Sequence, residues 1–216
     1  MSASTNRTDR AAALRLAPAL TAIVDELAIY ETLLRRWQKT INLVAAPTLD
    51  HLWTRHFADS AQVVDAVPDV TRWVDLGSGG GFPGLVTALL LKSRGGVVHL
   101  VESDQRKAAF LRAVSRETGA PTEIHVGRID SVLPTLPTSI GGVSARALAP
   151  LPQLVDWSCD LLLKNAVGAF LKGEDWRSEL TGLQREARFA VTAIPSRTNP
   201  AARLVLVRKA EAAGNP

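Results

Sequence analysis

The apolar residues Leu20, Ile23, Val24, Leu27, Tyr30, Leu34 and Trp37 recur three or four positions apart, which predicts an amphipathic helix over residues 20–37. A turn at Pro47 and one or two further helices follow, ending near Pro68. After Trp73 the pattern changes. The short apolar runs WVDL, VVHLVE, TEIHV, GGVSAR, VGAFL, FAVTAI and RLVLVRK read as strands, and helical patterns over residues 83–92, 104–118, 151–163 and 174–188 lie between them. Strands that alternate with helices imply an α/β fold, a mostly parallel sheet with helices on both faces. The expected organisation is a disordered tail over 1–19, an N-terminal helical segment over 20–70 packed on the core, the core itself over 71–210 and a frayed tail over 211–216.

Composition narrows the class. The 216 residues are 46% hydrophobic and 21% charged, ordinary values for one globular unit. Cys159 is the only cysteine, so no disulfide within the chain and no multi-cysteine zinc site is expected, which fits a reducing cytoplasm. No apolar run approaches the ~20 residues that span a bilayer, so no membrane association is expected. The net charge of +4 allows a phosphate-bearing partner without identifying one.

The candidate chemistry lies in WVDLGSGGGFPG, residues 73–84, with five glycines in twelve positions. A glycine loop between a strand and a helix lets a ligand approach the main chain, and the helix N-terminus suits an anionic group. Pro83 suits a first helical turn. Gly79, Gly81 and Gly84 satisfy G-x-G-x-x-G, and Glu102 ends the second strand about 20 residues later, where a carboxylate binds ribose hydroxyls. This leaves a dinucleotide or S-adenosylmethionine. Asp75, just ahead of the glycines, would repel a pyrophosphate and attract the ammonium of a methionine moiety. The single tyrosine, Tyr30, precedes the loop, which excludes a short-chain dehydrogenase, and no second substrate domain follows. The plainer reading is a glycine turn that binds nothing; the ordered run of strand, acid, glycines, proline and second acid argues against it.

For a methyl transferase the acceptor must be chosen. Cys159 lies in the apolar run DWSCDLLL without a preceding proline, so a cysteine nucleophile attacking cytosine is disfavoured. GGVSARALAPLP stands where exocyclic-amine enzymes carry Asn-Pro-Pro-aromatic. Guanine N7 has a free lone pair and no proton to lose, so a site without an evident general base suits it. Ribose-hydroxyl and small-molecule acceptors remain open at this point.

VDLGSGGGFPG, ESDQRKAAFLRAV, VGRID, SARALAPL and AFLKG, in that order behind INLVA and RHFADS, resemble the glucose-inhibited division protein B family, also called ribosomal RNA small subunit methyltransferase G. The resemblance implies a seven-stranded class I methyltransferase fold of Rossmann-like type, S-adenosylmethionine as methyl donor, and methylation of guanine N7 in a loop of 16S ribosomal RNA. It places cofactor contacts on Gly77, Phe82, Ile129, Asp130 and Arg146, with Ile129 and Asp130 at the adenine; Asp75, Gly79, Gly81 and Glu102 complete the expected cofactor set. Where the family commonly has Asp, this chain has Gly141, so no carboxylate is assigned at the start of the fourth strand.

Arg146 is the expected catalytic residue. Arg128, Lys172 and Arg203, at strand ends on family motif positions, are expected to contact RNA, against a plainer reading as surface charge. His56 and Asp59 are read as structural, and most of the five tryptophans as core. The partner implied is 16S ribosomal RNA or the small ribosomal subunit, with no metal and no obligate protein partner. The alternatives are a nicotinamide-dependent oxidoreductase and a non-catalytic ribosome-binding module that keeps a cofactor pocket.

Overall fold

The computed structural model describes residues 3–183 and 188–210. Its centre is a seven-stranded sheet: β1 (Arg72–Leu76), β2 (Val97–Glu102), β3 (Thr122–Val126), β4 (Gly142–Arg146), β5 (Val167–Lys172), β6 (Phe189–Pro195) and β7 (Arg203–Lys209). The spatial order is β3-β2-β1-β4-β5-β7-β6. The first five strands pair in parallel, whereas β7 runs antiparallel to both β5 and β6. The order reverses between β1 and β4, and in open α/β sheets such a switch point opens a crevice at the strands' carboxyl ends.

The helices are α1 (Ala3–Leu16), α2 (Val24–Trp37), α3 (Asp59–Ala66), α4 (Gly84–Leu91), α5 (Gln105–Thr118), α6 (Ile129–Val132), α7 (Leu151–Leu163) and α8 (Trp176–Leu183). Alternate strand residues face two cores. Trp73, Val98 and Leu100 pack towards α4, α5 and the N-terminal helices, while Val74, Leu76, Val101 and Val143 pack with residues of α7. Central parallel strands buried on both faces require such continuous apolar runs.

The disordered tail expected over residues 1–19 is corrected by α1. Ala13 and Ala17 are fully buried, and Asp9 of α1 accepts bonds from the Trp53 N–H at 2.8 Å and the Thr54 hydroxyl at 2.6 Å. The helix expected from residue 20 begins instead as a 3-10 turn, Pro18–Ile23, before α2. A helix over 174–188 is observed as Trp176–Leu183; residues 184–187 and the expected frayed tail at 211–216 lie outside the described residues. No helix among the described residues is long and apolar enough to cross a membrane.

Candidate active site

A cavity of about 790 Å³ opens at the carboxyl ends of β1, β2 and β4, within the ~300–1,000 Å³ range of small-ligand sites. Gly77, Gly79, Phe82, Glu102, Ile129, Asp130 and Arg146 all line it, as do Arg128, Lys172 and Arg203. The loop after β1 turns through positive φ at Gly77 (60°), Gly79 (54°) and Gly81 (89°), a region open to glycine at no steric cost. At Gly77 a side chain would also collide with Leu148, 2.5 Å from an added Cβ. Glu102 fastens this loop to β2: one oxygen accepts from the Gly79 N–H and the other from the Asp104 N–H, each at 2.8 Å. Each oxygen keeps a second acceptor position, which suits a pair of ribose hydroxyls.

Two predicted cofactor residues do not reach the cavity. Asp75 is fully buried on the face of β1 that carries α4, and its Oδ1 accepts from the Ser144 hydroxyl at 2.7 Å. Its Oδ2 is directed at the start of α4, without a hydrogen bond of good geometry, and a Cβ on Gly84 would come within 2.6 Å of it. Asp75 is therefore a group beneath the start of α4 and not a ligand for a methionine ammonium. Burial raises its pKa to about 6, against lowering by Ser144, Ser78, the Gly84 N–H and the charge of Arg146. Gly81 also turns away from the cavity, against Leu85 and Tyr30.

Tyr30 of α2 supports the loop from behind. Its hydroxyl donates to the Gly80 carbonyl, and its ring stacks on Phe82 with centroids 5.2 Å apart and planes 11° from parallel. Burial raises the phenol's pKa, so it remains a neutral donor.

Phe82, Arg146, His56 and Asp59 form the opposite wall. The Arg146 guanidinium lies 5.0 Å from the Phe82 centroid and donates to the Arg55 carbonyl at 3.0 Å and to His56 Nδ1 at 2.6 Å. Asp59 Oδ2 stands 3.5 Å from it, a partly buried ion pair. Because arginine can only donate, His56 Nδ1 must be the acceptor, so its proton sits on Nε2, which donates to the Thr48 hydroxyl at 2.8 Å. Burial and the charges of Arg146 and Arg55 lower the His56 pKa to about 2. His56 is thus a neutral orienting group with both nitrogens engaged. Sequence reading treated His56 and Asp59 as local structure because a three-residue spacing does not show what lies across the fold. Ser196 and Thr198, in the β6–β7 connection, also line the cavity and bond to Asp59 at 3.4 and 2.8 Å; no sequence signal marks them.

The predicted RNA contacts divide. Arg128, between β3 and α6, is exposed at the rim. Arg203 donates to the Pro200 and Ala202 carbonyls and lies 5.1 Å from the Trp176 ring. Lys172 lines the cavity with its charge engaged within the fold: its ammonium is 2.7 Å from Glu179 and donates to the Ala149 carbonyl at 2.9 Å. Its charge ties β5 to α8 and the start of α7. Arg55, exposed and on the cavity wall, is a basic residue that sequence reading did not select.

A family model described as GidB, rRNA small subunit methyltransferase G, matches residues 23–204. Proteins called "Ribosomal RNA small subunit methyltransferase G" are similar: that of Parvibaculum lavamentivorans is 49% identical over 86% of this chain and 82% of its own. That of Methylobacterium nodulans is 48% identical over 84% and 86%. Among solved structures, a methyltransferase from Geobacter sulfurreducens aligns with a TM-score of 0.57 at 15% identity, covering 86% of this chain and 89% of that one. The SAH-bound methyltransferase PaMTH1 of Podospora anserina aligns with 0.58 at 14%, covering 87% and 95%. At these identities the structures speak to the fold.

Proposed function

This chain belongs to the rRNA small subunit methyltransferase G family, and from that premise we infer that it transfers a methyl group from S-adenosylmethionine to N7 of a guanine in 16S ribosomal RNA. The observation that carries the reading is one cavity with a glycine loop and Glu102 on one side and the Phe82, Arg146 and His56 wall on the other. The cofactor fits the donors and acceptors present. Glu102 has free acceptor positions for the ribose, Gly77 and Gly79 bare the main chain, and Ile129 and Asp130 offer an apolar surface and an acceptor to an adenine.

The cofactor supplies an electrophilic methyl on a sulfonium, which leaves as a neutral thioether. The protein must then hold the acceptor in line and exclude competing nucleophiles. Guanine N7 attacks with its own lone pair, so no proton has to be removed. This agrees with His56, the histidine on the wall, whose Nδ1 lone pair is taken by Arg146. Arg146, locked by Asp59, His56 and the Arg55 carbonyl, positions Phe82 and the entering base. Arg55 and Arg128 at the rim supply phosphate contacts.

The test is tritiated methyl transfer from S-adenosylmethionine to small subunits from cells lacking this protein, followed by mapping of the modified base. Label at a single guanine N7 is expected. Label at an exocyclic amine or ribose would overturn the acceptor assignment, and no label on subunits or naked 16S RNA would overturn the methyl-transfer reading.

A further inference from the structure

Away from the cavity, three potential metal ligands converge on the edge of the sheet. In the parallel β2–β3 ladder His99 stands opposite Glu123, and Val101 opposite His125. Residues two apart on a strand share a face, so Glu123 and His125 point to the same side as His99. His99 Nδ1 is 3.1 Å from His125 Nε2 and 3.5 Å from Glu123 Oε2. One ligand atom from each of the three lies within 4.8 Å of the others.

These separations can be compared with those a metal imposes. Zinc holds nitrogen and oxygen ligands at about 2.0–2.2 Å in a tetrahedron, which puts neighbouring ligand atoms roughly 3.3 Å apart. Both measured approaches to His99 already lie near that spacing. His99 is 1% exposed, so its ring is fixed by packing, whereas the Glu123 side chain is 61% exposed, which leaves it room to turn and close the remaining gap. A neutral histidine pair that merely ties two strands by a hydrogen bond would not require a carboxylate at the same point.

We propose that His99, Glu123 and His125 form a site for a divalent metal ion of intermediate softness such as Zn²⁺, held by two imidazole nitrogens and one carboxylate oxygen, with the fourth position open to water. Two nitrogen donors select against Mg²⁺ and Ca²⁺, which prefer all-oxygen shells. Each imidazole stays neutral on binding: the proton between the rings shifts to His99 Nε2 or His125 Nδ1, the nitrogens that do not ligate, and none is lost. Glu123 offsets part of the ion's charge, and Arg72 of β1, whose charge is felt at His99, opposes it. The ion would clip the edge strand β3 to β2. Gly127, Arg128, Ile129 and Asp130, which line the cofactor cavity, begin two residues after His125.

The test uses the full-length, tag-free chain, stripped with a chelator and titrated with ZnCl₂ by calorimetry, with Co²⁺ as a spectroscopic probe. One equivalent is expected to bind, to give the visible bands of a four-coordinate Co²⁺ site and to raise the melting temperature by linkage. His125→Ala and Glu123→Gln should each weaken binding at least about tenfold, on the scale by which supporting residues of metal sites act. Excess Mg²⁺ should not compete. Glu123 is exposed, so Glu123→Gln tests the site even if His125→Ala fails to fold. The proposal is overturned if the wild type takes up no ion, or if Glu123→Gln binds it as the wild type does.

Discussion

His56 is held uncharged down to about pH 2 by burial and the arginines beside it, while burial keeps Asp75 protonated up to about pH 6. Below the ordinary histidine value of 6.5 the unfolded chain binds a proton that folded His56 refuses, so stability falls as pH drops from 6.5. Asp75 acts in the other sense. From 3.8 to about 6 the folded state keeps a proton that the unfolded chain has released, so its contribution is full below 3.8 and is lost as pH rises. Between roughly pH 4 and 6 the two contributions cancel, and single substitutions should separate them. Relative to wild type, Asp75→Asn should lose stability as pH falls across that window, by about 1.4 kcal/mol per unit. His56→Asn should lose it as pH rises, with a similar slope. Urea unfolding midpoints of the three proteins through the window check this; parallel pH profiles would show that neither group titrates as argued.

Helix α1 and the π-helical turn Trp53–Ala58 form a coupled pair of elements. Asp9 takes the Trp53 and Thr54 N–H groups, and Trp53 donates in turn to Glu31 of α2 at 2.7 Å. The turn carries His56 and the Arg55 carbonyl, both partners of Arg146. Asp9→Ala leaves the buried Trp53 N–H unpaired, so a loss of about 1–3 kcal/mol is expected. Methyl transfer should fall by more than cofactor affinity, because the glycine loop is held separately by Tyr30 and Glu102. Chemical denaturation, cofactor titration and single-turnover rates on one preparation measure all three. The same elements show what the sequence left hidden. The central strands are buried on both faces and read as apolar runs, so the alternation of strand and helix was legible, as were the glycine turn and Glu102. Among the described residues the buried positions of α1 are Asp9 and Ala13, followed by Ala17 just past its end, too small and too polar to produce a hydrophobic period. For Asp75, the position before the glycines was legible, but the strand face it occupies depends on where α4 packs.

At the scale of the whole molecule, a net charge of +4 is too small to hold RNA by itself, so the placement of the basic residues decides. Arg128 and Arg55 are exposed at the cavity rim, whereas Lys172 is neutralised by Glu179. Each phosphate contact releases condensed counterions and steepens the fall of affinity with salt. Arg128→Ala and Arg55→Ala should therefore each reduce the slope of log K against log salt by about one unit on a 16S RNA fragment. Lys172→Ala should leave that slope unchanged and instead destabilise the fold, since it removes the cation from a Glu179 carboxylate that then keeps only the Leu151 N–H, and it frees the Ala149 carbonyl. Binding measured across a KCl series, alongside thermal melts, distinguishes the two kinds of residue. If Lys172→Ala changes the salt slope while Arg128→Ala and Arg55→Ala do not, then the RNA crosses the β5–α8 side of the cavity. The ion pair with Glu179 would then have to open when RNA binds.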